Sequence, residues 1–204
     1  MRRILWGRST SSNVMKVVWL LEEMKLSYER VDVGGSFGKT DTAEYRAMNP
    51  TGLVPTLQED DFTLWESNAI LRYLGAGSAF FPQEAHARAN IDRWMDAQQT
   101  TMNRPQGTLF LSLIRTSPEK RDPAVISAAI KESAAAWGLI GAELGKHPYI
   151  CGDALSLADI CWGVHVHRWL NMSFDRPEVA NLKAWYDRLL ARPAYKTHVA
   201  REIV

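Results

Sequence analysis

The 204-residue chain reads as two units of different class, α/β followed by all-α. Three observations carry that reading. Short apolar runs of strand length alternate with segments of helical period up to Leu74, and Gly75-Ala76-Gly77-Ser78-Ala79-Phe80-Phe81-Pro82 then breaks the pattern with small residues and a proline. Beyond that break, only helical periodicities follow. The expected division is therefore a first unit over 1–75, a linker over 76–83 and a helical unit over 84–204. A chain of this length buries its cores without disulfides or a structural metal.

Within the first unit, Ile4-Leu5-Trp6 is a buried strand that ends at Gly7. Val14, Val17, Val18 and Leu21 recur at helical spacing, Leu20 and Met24 widen the apolar face, and Ser12 or Asn13 stands where a cap belongs. Tyr28 to Val33 is a second strand, parallel to the first because a helix joins them. Gly34 to Lys39 is a loop leading to a short helix near Thr42 to Met48, which Asn49-Pro50-Thr51-Gly52 ends as a turn. Thr56–Gln58 and Phe62–Leu64 form a hairpin around Glu59-Asp60-Asp61, and a helix over Ser67–Leu74 completes a βαβαββα order.

The second unit opens with a helix over Ala87–Arg104. Asp122-Pro123 pairs a capping aspartate with proline at the first helical position and starts a helix that runs to about Leu144. Ser156-Leu157-Ala158-Asp159 has the form of a capping box, with Leu155 and Ile160 as its apolar staple, and its helix carries Trp162, Val166 and Trp169. Val179, Leu182, Trp185, Tyr186 and Leu189 make a last amphipathic face, stopped by Arg192-Pro193.

Bulk chemistry narrows the function. Lysine plus arginine total 24 against 23 aspartate plus glutamate, with no long block of either sign, so nucleic acid and anionic membrane are poor partners. The apolar run after Met1-Arg2-Arg3 is too short for a signal peptide, and no later stretch approaches the ~20 apolar residues of a membrane span. A cytoplasmic protein is expected. Cys151 and Cys161 show neither a C-x-x-C pattern nor zinc-ligand spacing, so no metal is expected and both are read as packed thiols.

Two motifs point to a ligand. In Leu53-Val54-Pro55-Thr56 a proline, which has no N–H to give a sheet, stands at a strand entrance; with a cis bond it would turn the Val54 N–H and C=O toward a ligand. Glu66-Ser67 places an acid and a hydroxyl at a helix start, where unpaired backbone donors suit a carboxylate. Together they make a corner suited to a peptide.

The chain resembles the cytosolic glutathione transferases, of the bacterial serine or asparagine type, over essentially its whole length. Four segments carry the resemblance: Gly7-Arg8-Ser9-Thr10-Ser11-Ser12-Asn13-Val14, Asn49-Pro50-Thr51-Gly52-Leu53-Val54-Pro55-Thr56, Trp65-Glu66-Ser67-Asn68-Ala69-Ile70, and Gly152-Asp153-Ala154-Leu155-Ser156-Leu157-Ala158-Asp159. It implies a thioredoxin-like glutathione-binding domain followed by a helical-bundle domain. Activity is then conjugation of the glutathione thiolate to a small electrophile, with glutathione as co-substrate, no metal or redox cofactor, and a homodimeric assembly. Ser11 first and Asn13 second would activate the thiol. Val54 would pair with the cysteinyl unit, and Glu66 and Ser67 would hold the γ-glutamyl end. Lys39 is the candidate for the glycyl carboxylate, because Gly52-Leu53 offers no base before the valine. Arg8, Met102, Arg104 and Trp162 are candidates for the electrophile pocket, and Arg93 and Trp94 for a subunit contact.

Neither cysteine nor tyrosine occupies the first turn. Thiol-disulfide exchange through the protein's own sulfur is therefore excluded at that position, and the tyrosine-type classes fit poorly. Two alternatives stand beside conjugation. One is a glutathione-dependent peroxidase or isomerase on the same scaffold, and the other a non-catalytic binding module.

Overall fold

The computed structural model describes residues 2–204; Met1, the first residue of the expected 1–75 unit and of the tested leader segment, lies outside them. The first part contains β1 (Arg3–Trp6), α1 (Ser12–Glu23), β2 (Glu29–Val31), α2 (Ala43–Met48), β3 (Thr56–Glu59), β4 (Phe62–Trp65) and α3 (Ser67–Gly75). This is the βαβαββα order, with the sheet ordered β2-β1-β3-β4. Strands β1 and β2 pair in parallel, as a helical crossover requires, while β3 runs antiparallel to both β1 and β4. Leu5 and Leu57, opposite each other in register, are fully buried beneath α1.

The helical part comprises α4 (Ala85–Ala97), α5 (Asn103–Phe110), α6 (Pro123–Leu144), α7 (Leu157–Asn171), α8 (Leu182–Leu190) and α9 (Pro193–His198). Expected bounds differ here in three places. The helix expected over 87–104 starts at Ala85, capped by the Glu84 carboxylate, which accepts from the His86 and Ala87 N–H groups at 2.9 and 2.7 Å. It also does not stop before Pro105. A π-helical turn at Gln98–Met102 absorbs the geometry a proline would otherwise break, α5 continues through Pro105, and a second π turn at Leu111–Arg115 ends the run.

Val179 precedes α8 rather than forming part of it. Asn181, at φ +66°, starts that helix and donates through Nδ2 to the Gly141 carbonyl at 3.0 Å. Arg192-Pro193 ends α8 as expected, but the proline also opens α9 at the position where its missing N–H costs nothing.

Helix α1 serves two cores. Val14, Val17, Val18 and Leu21 pack with Leu5, Leu57 and Ile70 against the sheet, whereas Trp19 and Leu20 join the larger cluster of the helical part. Among the described residues, α6 is the one helix long and apolar enough to cross a membrane by length and composition. It carries Lys131 and Glu132 at mid-length, and Ala129, Ser133, Ala136, Trp137, Ile140, Gly141 and Leu144 form its buried face against the bundle. A bundle helix accounts for it.

Candidate functional site

The site is built where β1 delivers the chain to α1. Gly7 is needed there because an added Cβ would stand 2.5 Å from Val14 Cγ2 and 3.3 Å from Val54 Cβ, so the turn, the helix and the Val54 segment all meet at this residue. Ser11 is the residue that caps α1, with extended backbone (φ −78°, ψ 123°). Its side chain makes no capping hydrogen bond, which leaves the hydroxyl free at the positive end of the helix.

Val54 and Pro55 are joined by a cis peptide bond. Tyr45 Oη and Asn49 Nδ2 donate to the Leu53 carbonyl at 2.6 and 2.9 Å and fix the segment from behind. The N–H and C=O of Val54 itself form no hydrogen bond among the described residues. They are therefore available to an extended peptide laid alongside.

Glu66 begins α3 at φ +70°, a conformation that costs a non-glycine residue about 1–3 kcal/mol. Its side chain makes no capping bond. Ser67 follows, buried, and donates through Oγ to Asn13 Oδ1 at 3.3 Å, which draws the start of α3 to the first turn of α1. Ser11, Asn13, Val54, Glu66 and Ser67 are thus brought together. Asn13 is engaged with Ser67, and Ser11 is not.

The remaining expected site residues are distributed differently. Lys39 is exposed at φ +68° on the loop before α2, where its carbonyl accepts from Thr42 Oγ1 at 3.2 Å. Arg8 lies at the turn, its side chain over Gly34 and Gly35. Met102 and Trp162 are corrections: both are fully buried in the helical core, and the Trp162 indole N–H donates to the Trp94 carbonyl at 2.9 Å. Their helical spacing reflects packing. Arg104 is a third correction, because its exposed side chain pairs with Glu132 of α6 at 3.0 Å instead of reaching the first turn. Arg93 stacks over Trp94 within its own helix, 5.8 Å from the ring centroid.

Cys151 and Cys161 are free, and burial pushes their thiols up to about 12 and about 11, so neither is ionised at neutral pH. No cluster of metal-ligating side chains occurs among the described residues.

Sequence reasoning missed a buried polar network directly behind the site. Lys16, fully buried in α1, donates through Nζ to Gln98 Oε1 at 2.8 Å and to Asn68 Oδ1 at 3.3 Å. Asn68 also accepts from the Cys161 thiol, and Gln98 meets His165 Nε2 at 2.9 Å, so the network spans α1, α3, the π turn after α4, and α7. Burial lowers the Lys16 pKa, and the nearby Glu66 carboxylate raises it in part. A lysine inside the otherwise apolar Val14–Leu21 run was the available signal. Arg168 was also missed; it is nine-tenths buried in α7, and its Nη2 donates to the Thr10 carbonyl at 3.1 Å.

Comparison with known proteins follows the same lines. Models of the glutathione S-transferase N-terminal and C-terminal domains match residues 1–76 and 123–188. The chain is 42% identical over 198 residues to glutathione S-transferase GstB of Escherichia coli strain K12, covering 94% of this chain and 95% of the relative. It is 29% identical over 210 residues to glutathione S-transferase 3 of Zea mays, covering 96% and 92%. Among solved structures, the glutathione-bound theta class glutathione S-transferase of Xanthomonas axonopodis pv. citri has a TM-score of 0.95 and 43% identity, with 99% of each chain covered. By sequence and by architecture, the chain belongs to the glutathione S-transferase family.

Proposed function

We propose that this protein is a glutathione transferase in which Ser11 holds the glutathione thiol as a thiolate for attack on a small electrophile. The observation that carries this assignment is the free hydroxyl of Ser11 at the start of α1, beside the unpaired backbone of Val54 and the Glu66-Ser67 corner. A relative of 43% identity binds glutathione, which supports the tripeptide as the ligand of this corner. Glutathione lies extended along Val54, its α-ammonium facing Glu66 and its α-carboxylate facing Ser67 and the N–H groups of α3.

A free thiol of pKa about 8.5 is mostly protonated at neutral pH. Lowering it by about two units requires roughly 2.7 kcal/mol of preference for the anion, the order supplied by one charge-assisted hydrogen bond and the field of a helix start. The thiolate then displaces a halide or adds to an activated double bond, and the thiol proton leaves to solvent. Asn13, held by Ser67, positions the γ-glutamyl corner and is second in line as activator. Lys39 supplies the glycyl end with a cation on the loop before α2. The same reading makes the protein cytoplasmic, with units at 1–75 and 84–204 joined by 76–83. It also makes it a homodimer, which the exposed aromatic group Phe62, Trp65 and Tyr73 supports.

The test is titration of bound glutathione by its thiolate absorbance. Ser11→Ala is expected to raise the thiol pKa by about one to two units and to lower turnover at neutral pH, with the deficit shrinking as pH rises. A pKa unchanged in Ser11→Ala but raised in Asn13→Ala would transfer the role to Asn13.

A further inference from the structure

Two arginines from distant parts of the chain meet at the turn that carries Ser11, and a third shares an aromatic ring with one of them. Arg8 opens the turn, and its carbonyl accepts from the Ser11 N–H at 3.2 Å. Its side chain occupies space that two glycines leave empty, since a Cβ on Gly34 would stand 3.1 Å from Nη1 and one on Gly35 would stand 3.1 Å from Cδ and Nε. Arg168 reaches the same turn from α7 through its hydrogen bond to Thr10, one residue before Ser11. Its guanidinium lies 4.0 Å from the centroid of Phe110. Arg115, exposed at the π turn that ends the α4–α5 run, covers that ring as well at 5.5 Å and donates to the Val204 carbonyl at 3.0 Å. One phenyl ring thus carries two guanidinium groups.

No acidic side chain compensates this group. Arg3, Arg72, Arg104 and Arg192 each pair with an aspartate or glutamate, whereas Arg8, Arg115 and Arg168 have no such side chain within ion-pairing distance among the described residues. Arg8 has no side-chain hydrogen bond at all among them. Arg201 and Glu202 of the C-terminal segment line the small cleft beside Arg168. Burial first, and then repulsion by Arg115 and Arg8, hold the Arg168 pKa down at about 10, so the group stays charged at neutral pH while its neighbours disfavour that charge. A single thiolate at Ser11 answers only part of three positive charges.

From this geometry we infer that Arg8, Arg115 and Arg168 form a binding site for the carboxylate of an anionic electrophile, delivered beside Ser11. The inference rests on the glutathione transferase reading and deepens it, because it names the class of the second substrate. A guanidinium suits this task through its planar set of donors, and stacking on Phe110 fixes its plane without consuming those donors. The carboxylate takes no part in the chemistry. In the conjugation of a haloarene, the sulfur–carbon bond forms, the carbon–halogen bond breaks and halide leaves, while the arginines orient the ring.

The test compares 4-chloro-3,5-dinitrobenzoate with its methyl ester, which share a reaction centre and differ in charge. The acid-to-ester ratio of kcat/KM is expected to fall roughly 10-fold or more in Arg115→Gln and in Arg168→Gln. Arg115 is exposed, so its variant folds irrespective of packing around Thr10. A ratio that stays constant while both substrates decline would overturn the proposal and assign the arginines to the thiolate. An increase in the KM for glutathione alone would assign them to its glycyl carboxylate and equally overturn it.

Calorimetry with the unreactive 3,5-dinitrobenzoate and its methyl ester, without glutathione, is independent of turnover. Saturable uptake of the acid and not the ester is expected, and equal uptake of both would refute the site. A parallel titration with reduced glutathione shows separately whether the underlying transferase reading fails.

Discussion

Ser11 starts α1 and Ser156 starts α7, both from extended backbone, at φ −78°, ψ 123° and φ −129°, ψ 176°. Around Ser156 every polar group is used. The Asp159 carboxylate accepts from the Ser156 N–H and Oγ at 2.9 Å each, and from the Ile150 N–H and the Trp185 indole N–H at 3.0 Å each. Around Ser11 the hydroxyl has no partner among the described residues, Val54 keeps its backbone groups unpaired among them, and Glu66 sits in a strained conformation. The same residue type in the same local role is therefore closed off by hydrogen bonds in one place and left open in the other. What separates them is whether the chain itself completes the hydrogen bonds.

The largest effect tests the completed side of this contrast. Asp159→Ala leaves three buried N–H donors without an acceptor, and urea unfolding should register a loss of about 3–5 kcal/mol. A loss below about 1 kcal/mol would mean that the α7 start is no more committed to stability than the α1 start.

The other end of α1 gives the next effect. Glu23 accepts from Arg192 Nε and Nη2 at 2.7 Å each and from the Trp19 indole N–H at 2.9 Å. Burial disfavours its charge, but the bonds from Arg192 and Trp19 outweigh burial and hold its carboxyl below the usual value. A depressed folded-state pKa gives stability that is complete above the unfolded value, about 4.3, and is lost as pH falls through the folded one. Glu23→Gln should therefore destabilise by about 1–3 kcal/mol at neutral pH, with the gap closing under acid conditions. A gap of constant size across pH would show that the ion pair contributes nothing.

The smallest effect places the two serines side by side. Ser156→Ala should cost about 1 kcal/mol, as loss of a working cap does, whereas Ser11→Ala should change stability by less than about 0.5 kcal/mol. Equal losses in thermal unfolding would dissolve the contrast between them.

Features whose meaning is local were legible in the sequence. Proline at a strand entrance, Glu66-Ser67 at a helix start, Asp122-Pro123 and the Ser156–Asp159 box each depend on neighbours within a few residues, and each element stands where expected. The failures have a common cause in distance along the chain. Met102 and Trp162 have a spacing that belongs more often to a core than to a pocket wall, and the packing of other helices decides for the core. Arg168 acquires its significance from Thr10, 158 positions earlier, and no periodicity announces that contact. That the helix expected over Ala87–Arg104 runs on through Pro105 was not legible, because the π turn that accommodates the proline leaves no mark in composition.

Lys16 has a consequence for how the molecule comes apart. Its ammonium is solvated by one amide from the sheet-bearing half and one from the bundle, so separating the halves would strip a buried cation of half its coordination. Trp19 and Leu20, one turn further along the same helix, would lose their surroundings at the same moment. Melting should accordingly proceed as a single cooperative event, with no survivor made of the first half alone.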